Sequence, residues 1–208
     1  MAKYDKGKKR IIYNSYEEYI KIQAGRSFRH KPWTLERANK SCLKPVKFLK
    51  KRINKSCKII DVGCRNGLFL GLLKYHGYKN VFGSDLVGRN VEGCIKNEYN
   101  VKLCDCQDMR NVYDDAFFHV VTCIHTLEHV IDPRKAIKEF HRILKKQGRM
   151  LLIIPLQKTA GHVKWGHSYI FKKESELIKM CADFFVPIKT SKAIARGGSE
   201  FWYFGQKG

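Results

Sequence analysis

Short apolar runs alternate with segments of helical periodicity from Cys57 onward, and this alternation limits the possible folds more than any other feature. The strongest helical segment follows Asp132-Pro133, which supplies a capping carboxylate and a first-turn proline, and it stops at Gly148. Strands that alternate with helices predict right-handed crossovers and a parallel sheet covered on both faces. The predicted strands are 57–62, 81–84, 100–104, 118–124 and 150–154, and further helices are predicted at 67–76, 90–99 and 174–181.

The last part of the chain departs from this alternation. Residues 184–194 and 200–204 have the composition of strands, and only a short turn with Gly197-Gly198 separates them. Two strands joined by so short a turn must be antiparallel. We therefore predict an α/β fold with a doubly wound, Rossmann-like sheet that is mostly parallel and has an antiparallel final strand, preceded by N-terminal helices.

The first 56 residues differ from the rest in charge. They contain 17 Lys and Arg against 4 acidic residues, in a chain whose formal net charge is +22. We predict a basic, helical N-terminal extension at 1–56 and an α/β domain at 57–208. The extension suggests an anionic partner, with nucleic acid as the first candidate, although solvated surface lysines would give the same composition. Within the extension, Pro45 is predicted to open a helix, and residues 1–10 are predicted to form a frayed tail.

A glycine-containing turn, Asp61-Val62-Gly63-Cys64-Arg65-Asn66-Gly67, follows the first predicted strand. Ligands of open α/β sheets bind at the carboxyl ends of the strands, so this turn is the first place to expect a nucleotide-like ligand. The dinucleotide fingerprint G-x-G-x-x-G, counted from Gly63, would need glycines where the chain has Arg65 and Leu68. A P-loop is also disfavoured, because the chain has no Gly-Lys-Ser/Thr ending here.

The turn resembles motif I of the class I S-adenosylmethionine-dependent methyltransferases, acid-x-Gly-x-Gly-x-Gly, and the chain is most similar to their type 11-like group. Further segments resemble motifs of this family in the same order, at 83–86, 104–106, 126–130 and 142–148. The resemblance covers about residues 57–208 and implies a methyltransferase domain with S-adenosylmethionine as its cofactor.

Two residues depart from the family pattern. Arg65 stands where the family has a glycine, and His119 stands where it commonly has an aspartate. We expect Arg65 to keep a negative φ and to point out of the loop, and we expect His119 to be structural.

The resemblance implies roles for the residues of the turn. Gly63 and Gly67 would let the backbone pass close to the methionine part of the cofactor, where a Cβ would intrude. Asp61 would hold the ammonium group of the cofactor, often through water.

The resemblance also implies which acidic residues hold the nucleoside. The two oxygens of Asp85 suit the two ribose hydroxyls, and Asp105 can accept from the adenine amino group, with Asp108 as the competing candidate. The complete predicted cofactor site consists of Asp61, Gly63, Cys64, Gly67, Asp85, Leu86, Asp105 and Cys106.

Residues that contact the methyl acceptor are expected at the end of the fourth strand and after the fifth. The first position holds His125, Glu128 and His129, and the second holds His167 within the aromatic stretch 161–169, which includes Trp165 and could form a lid. We predict His125, His129 and His167 as catalytic or acceptor-contacting residues, and a hydrogen-bonded structural histidine is the alternative for each. The donor is already activated, so a base is needed only if the acceptor proton must leave early.

No metal site is predicted. The eight cysteines contain no C-x-x-C pair, and the lone Cys104-x-Cys106 gives weak support for zinc. The cysteines instead suit a reducing compartment. Because the chain also has no signal-like segment and no apolar run of membrane-spanning length, we expect a soluble, cytoplasmic protein without membrane contact.

The sequence therefore predicts an S-adenosylmethionine-dependent methyltransferase that modifies an oxygen or nitrogen atom. A small molecule or sugar is slightly favoured as the acceptor, and RNA follows closely, since 166–177 and 123–125 are loosely similar to tRNA wobble-uridine methyltransferases. The chain has neither Asn/Asp-Pro-Pro-Tyr nor Pro-Cys, which argues against methylation of DNA bases. The alternative function is a catalytically silent Rossmann module that binds nucleic acid or supports a partner enzyme.

Overall fold

The computed structural model describes residues 3–5, 10–25, 33–157, 166–195 and 198–208. The helices are α1 (Tyr16–Gly25), α2 (Leu35–Lys50), α3 (Leu68–Tyr75), α4 (Gly88–Ile95), α5 (Pro133–Ile143) and α6 (Glu174–Cys181), with a short 3₁₀ helix η1 (Leu127–His129). The strands are β1 (Lys3–Asp5), β2 (Arg10–Ile12), β3 (Ile59–Val62), β4 (Val81–Asp85), β5 (Asn100–Leu103), β6 (Phe118–Ile124), β7 (Leu144–Leu156), β8 (Phe185–Ala195) and β9 (Gly198–Lys207).

Seven of the strands in the described part of the chain form one sheet, in the order β5-β4-β3-β6-β7-β9-β8. The pairs from β5 through β7 are parallel, whereas β9 runs antiparallel to both β7 and β8. This confirms the predicted Rossmann-like sheet with a reversed final strand. The strand order changes direction between β3 and β6, which is the point where open sheets of this class bind ligands.

The core lies in two layers, one on each face of the sheet. Along β7, Leu152 and Ile154 belong to the layer that contains Phe140 of α5, while Leu151 and Ile153 belong to the opposite layer. Both faces of this strand are therefore buried, which explains why its sequence is continuously apolar instead of alternating. No helix of the described residues is long and apolar enough to cross a membrane.

Helix α2 differs from its prediction, because it begins at Leu35 and contains Pro45 in its interior. Thr34 provides the N-cap, and its Oγ1 accepts from the backbone N–H of Arg37 at 3.3 Å. An interior proline removes one helical hydrogen bond. Burial of Ala38 before this defect, and of Val46 and Leu49 after it, stabilises the continuous helix.

The N-terminal residues also differ from their prediction. Strands β1 and β2 pair with each other, so the expectation of a frayed tail was wrong for residues 3–5 and 10. Ile11 is 4% exposed, and its N–H donates to the carbonyl of Ser168 at 2.8 Å. A partner so far along the sequence leaves no local signal, which is why periodicity alone missed this element.

Helix α5 ends at Ile143, five residues before the predicted stop. The carbonyls of Arg142 and Ile143 accept from the backbone N–H groups of Ala116 and Phe117, at 3.0 and 2.9 Å. These carbonyls are satisfied by the segment before β6, and Leu144 already pairs with that strand. The positive φ of +61° at Gln147 then accompanies an irregularity in the pairing before the regular part of β7.

Candidate active site

The glycine turn connects β3 with α3 at the centre of the sheet. Gly63 and Gly67 have φ values of +78° and +73°, in the region that L residues rarely adopt. A Cβ on Gly63 would lie 2.2 Å from Oγ1 of Thr126, so the turn packs directly against the segment that follows β6. The contact with Thr126 and the positive φ therefore both require a glycine at position 63.

Arg65 contradicts one expectation. Its φ is +53°, so the predicted negative φ was wrong. The backbone N–H of Arg65 donates to Oδ2 of Asp85 at 2.8 Å, and this bond holds the turn in its left-handed conformation. Arg65 is an exposed residue and is also among those that line the cavity described below.

Asp85, at the end of β4, joins three parts of the site. Its Oδ1 accepts from the N–H of Val87 at 2.9 Å and from Nδ2 of Asn90 at 3.0 Å, while Oδ2 accepts from the turn at Arg65. Asp85 and Leu86 both line the cavity. A carboxylate oxygen with one protein donor retains a second lone pair, so Oδ2 can also accept from a ligand hydroxyl.

Three residues of the predicted cofactor site are not among the described residues that line the cavity: Asp61, Cys64 and Gly67. Asp61 is 5% exposed and accepts from Oγ1 of Thr122 on β6 at 2.8 Å. Burial raises the pKa of Asp61 to about 7, although the hydrogen bond from Thr122 opposes this effect. Cys64 is buried and packs against Gly83. These three residues support the turn from behind.

Asp105 and Cys106 follow β5 and line the cavity. Oδ2 of Asp105 accepts from the hydroxyl of Tyr16 on α1 at 2.5 Å, and Gln107 donates its N–H to Oδ1 at 2.9 Å. Asp108 is exposed and pairs with Arg110 at 3.0 Å outside the cavity lining. Of the two candidates for the adenine amino group, only Asp105 faces the cavity.

Helix α1 lies over the cavity and was not predicted there. Tyr19 is 2% exposed, and both Tyr19 and Gln23 line the cavity. Nε2 of Gln23 donates to the carbonyl of Gly166 at 3.2 Å, and the hydroxyls of Tyr13 and Ser168 lie 2.6 Å apart. These bonds tie the N-terminal segment to the residues that follow β7.

The cavity has a volume of about 610 Å³, within the range of small-molecule and cofactor sites. It is bounded by the carboxyl ends of the central strands, by α1 and by the first residues of β9. All three predicted histidines line it, at positions 125, 129 and 167. Residues 158–165, which include the predicted lid residue Trp165, lie outside the described residues.

His125 directly follows β6 and has a φ of +51°. Its Nε2 lies 2.8 Å from Oε1 of Glu200 on β9, and Nε1 of Trp202 donates to the other oxygen of Glu200 at 3.2 Å. Burial lowers the pKa of His125, but the hydrogen bond with Glu200 and the charge of Glu128 outweigh it, so the pKa is raised. His125 is thus held in one orientation by a carboxylate that is itself oriented.

The other two histidines form a second group. Nδ1 of His129 lies 3.0 Å from the carbonyl of Gly166, and Nδ1 of His167 lies 2.6 Å from Nε2 of Gln157. Their rings meet edge to face, with centroids 4.7 Å apart. Glu128 lies beside them and is 2% exposed. His119, by contrast, accepts from the N–H of Lys58 at 2.9 Å, which is the structural role expected for it.

Sequence reasoning missed Glu200 and the aromatic face of α1. Glu128 was expected on the acceptor side, and the structure adds that its side chain is buried. Glu200 is 75 residues from His125, and only the antiparallel return of β9 brings the two together.

Comparisons with known proteins agree with this fold. A family model described as a methyltransferase domain matches residues 34–184. The chain is 32% identical over 112 residues to a ubiquinone biosynthesis O-methyltransferase of Coxiella burnetii, which covers 50% of this chain and 47% of that protein. It is 29% identical over 102 residues to a tRNA U34 carboxymethyltransferase of Helicobacter pylori, covering 45% and 39%. The chain spans about half the length of the curated relatives it matches.

The fold is also shared with solved structures. Magnesium protoporphyrin IX methyltransferase of Synechocystis, solved with bound S-adenosylmethionine, superposes with a TM-score of 0.70 at 16% identity, covering 94% of this chain and all of that one. The cavity suits this cofactor, since it combines a glycine turn with the carboxylates of Asp85 and Asp105 along its wall. With the family model matching most of the sequence, the chain belongs to the class I methyltransferases, whose cofactor is S-adenosylmethionine.

Proposed function

We propose that this chain transfers the methyl group of S-adenosylmethionine to an oxygen or nitrogen of a small acceptor held beside His125. The cofactor would be held by the residues predicted for it, which are Asp61, Gly63, Cys64, Gly67, Asp85, Leu86, Asp105 and Cys106. Five of these line the cavity and three support the turn. The N-terminal extension at 1–56 would cover the bound ligands through α1.

The observation that carries the proposal is the pair of His125 and Glu200, 2.8 Å apart in the same cavity. With Nε2–H donated to Glu200, Nδ1 of His125 bears the lone pair and can take a proton. When bound, S-adenosylmethionine would supply a methyl group on a sulfonium, and its sulfur would keep the electrons of the broken carbon–sulfur bond as the acceptor lone pair takes the methyl carbon. Nδ1 of His125 would take the proton that the acceptor loses.

A small acceptor is favoured because the cavity is covered. Tyr19 and Gln23 of α1 stand on one side and Glu200 and Ser199 on another, which leaves a space of small-molecule dimensions. The similarity to a ubiquinone biosynthesis O-methyltransferase points in the same direction. The eight cysteines are free thiols, which supports our further proposal that the protein resides in the cytoplasm.

RNA is the second candidate acceptor, and α2 carries the observation that favours it. Lys40, Lys44, Lys47 and Lys50 are all exposed and recur at helical spacing. A basic stripe of this kind suits a phosphate backbone. The similarity to a tRNA-modifying relative also supports this acceptor.

The test is incubation with labelled S-adenosylmethionine and a fractionated lysate. We expect label in the organic extract, and label in RNA would support the second candidate instead.

His125→Asn and Glu200→Gln should each lower turnover by about 100-fold, the usual contribution of a positioned base, without weakening cofactor binding. His76→Asn, which directly follows α3 and does not line the cavity, is the matched control. Full turnover by His125→Asn would refute the role assigned to this residue.

A further inference from the structure

Three side chains with metal-binding atoms converge in the wall of the cavity. Glu128 and His129 belong to η1, and His167 belongs to the segment that follows β7. One potential ligand atom from each lies within 4.8 Å of the others. Two imidazoles and a carboxylate form a ligand set that suits divalent transition metals such as Zn²⁺, Fe²⁺ or Co²⁺.

Glu128 gives independent evidence that a ligand belongs here. It is 2% exposed, and its Oε2 is buried without a hydrogen-bond partner among the described residues. Oε1 lies 3.8 Å from Nδ1 of His125 and 4.0 Å from Nε2 of His129, both too far for a hydrogen bond. A buried carboxylate left in this state costs considerable free energy, and a bound cation would remove that cost.

The two histidines are oriented as metal-binding histidines usually are. A carbonyl can only accept, so Nδ1 of His129 donates to Gly166, and the lone pair of His129 lies on Nε2, the nitrogen that faces Glu128. Nδ1 of His167 lies 2.6 Å from Nε2 of Gln157, while Oε1 of the same amide is buried without a hydrogen-bond partner among the described residues. With this amide turned by 180°, Oε1 would accept from Nδ1–H, and the lone pair of His167 would lie on Nε2. Partners of this type fix the ring orientation and tautomer of histidines that bind metals.

We propose that Glu128, His129 and His167 bind one divalent transition-metal ion in the acceptor part of the cavity. Two ligand atoms about 2.1 Å from a single ion lie roughly 3.4 Å apart in tetrahedral geometry, so the three side chains must close by about 1 Å when the ion binds. The remaining coordination position faces the cavity. On the proposed function, which this step assumes, that position would take the acceptor oxygen next to His125.

Cobalt spectroscopy tests the metal site without requiring methyl transfer. Chelator-treated protein is titrated with Co²⁺, whose visible d–d bands report nitrogen and oxygen ligands, whereas the free thiols would give sulfur charge-transfer bands in the near ultraviolet. We expect d–d bands that saturate at one equivalent. Glu128→Gln and His167→Asn should each weaken Co²⁺ binding by more than about 100-fold, since loss of an orienting partner alone costs 10- to 100-fold. The control variant His76→Asn should bind like the wild type.

Each outcome decides the proposal. Absence of d–d bands in the wild type would overturn it, and so would unchanged binding by both variants. Calorimetry with S-adenosylmethionine shows whether each variant keeps its fold, because the cofactor residues lie on other elements. A protein that binds Co²⁺ at this site but transfers no methyl group would overturn only the proposed function. A protein that transfers methyl groups at full rate and gives no cobalt spectrum would overturn only the metal site.

Discussion

Asp61 illustrates how a single residue couples the fold to the site. It lies within β3, where almost every neighbour is apolar, and Oγ1 of Thr122 is the side-chain donor that reaches it, at 2.8 Å. Burial raises the pKa of this carboxyl to about 7, because the charged form loses its hydration. If the cofactor places its ammonium group near the turn, as we propose, that positive charge would favour the ionised form of Asp61.

The raised pKa of Asp61 predicts a specific pH dependence of stability. An unfolded aspartate titrates near 3.9, so between about pH 4 and 7 the native state holds a proton that the unfolded state has lost. The free energy of unfolding therefore falls as the pH rises through this window. Asp61→Asn removes this contribution, and the amide oxygen can still accept from Thr122.

The measurement is urea unfolding of both proteins at pH 5 and pH 8. We expect the wild type to lose about 3 kcal/mol more than Asp61→Asn between these values, at about 1.4 kcal/mol for each pH unit between pH 5 and the native pKa. Other groups titrate in both proteins and cancel in the comparison. An equal loss in the two proteins would mean that Asp61 is ionised in the native state throughout this range.

At the scale of elements, α1 is the part of the fold that most affects access to the cavity. Tyr16 donates to Asp105, Gln23 donates to Gly166, and Tyr19 forms part of the cavity wall. The hydroxyl of Tyr16 uses the same carboxylate that we assign to the adenine amino group. Binding of the cofactor must therefore adjust the contacts of this helix.

We expect hydrogen exchange of the amides in residues 16–25 to slow when S-adenosylmethionine is added. The reason is that a bound ligand would fill the cavity beneath α1 and supply contacts to Tyr19. Helix α6 is the internal control, since its residues do not line the cavity and its exchange should not change. Tyr19→Ala should reduce this protection of the α1 amides. If the exchange rates of the α1 amides do not change when the cofactor is added, the cofactor does not lie beneath α1 as we propose.

The elements also show what sequence could and could not predict. Helices α3 and α6 and strands β3 to β6 were predicted close to their observed positions, because local periodicity determines which of their faces is buried. The extent of α2 was missed because Pro45 is tolerated by packing, which periodicity does not report. The pairing of His125 with Glu200 and the place of α1 depend on contacts between distant segments, so no local pattern could reveal them.

The whole molecule carries a formal charge of +22, and its distribution distinguishes the two candidate acceptors. The basic stripe of α2 lies on one side of the sheet, with the layer that contains Leu72. Exposed lysines of α5 and α6 lie on the other side, with the layer that contains Phe140. A nucleic acid that binds one side would therefore depend on one set of lysines and not on the other.

If RNA is the acceptor, replacing Lys40, Lys44 and Lys47 by Gln should weaken RNA binding and reduce its dependence on salt. The reason is that fewer phosphate contacts form on binding, so fewer counterions are released from the RNA. The matched control neutralises Lys135, Lys138 and Lys179, which changes the net charge equally on the other side. Binding is measured for both variants at two salt concentrations. Equal effects of the two triple variants would show that the charge acts only as a general surface property.

The central claim is that the cavity at the carboxyl ends of β3, β4 and β6 holds S-adenosylmethionine, and calorimetric titration with this cofactor tests it most directly. We predict binding of one molecule per chain. Asp85→Ala should weaken this binding by about 1.5–3 kcal/mol, through the loss of charge-assisted hydrogen bonds, while the exposed control Asp114→Ala should not. Absence of heat at millimolar cofactor, or equal affinity of Asp85→Ala and the wild type with the fold intact by circular dichroism, would contradict the claim.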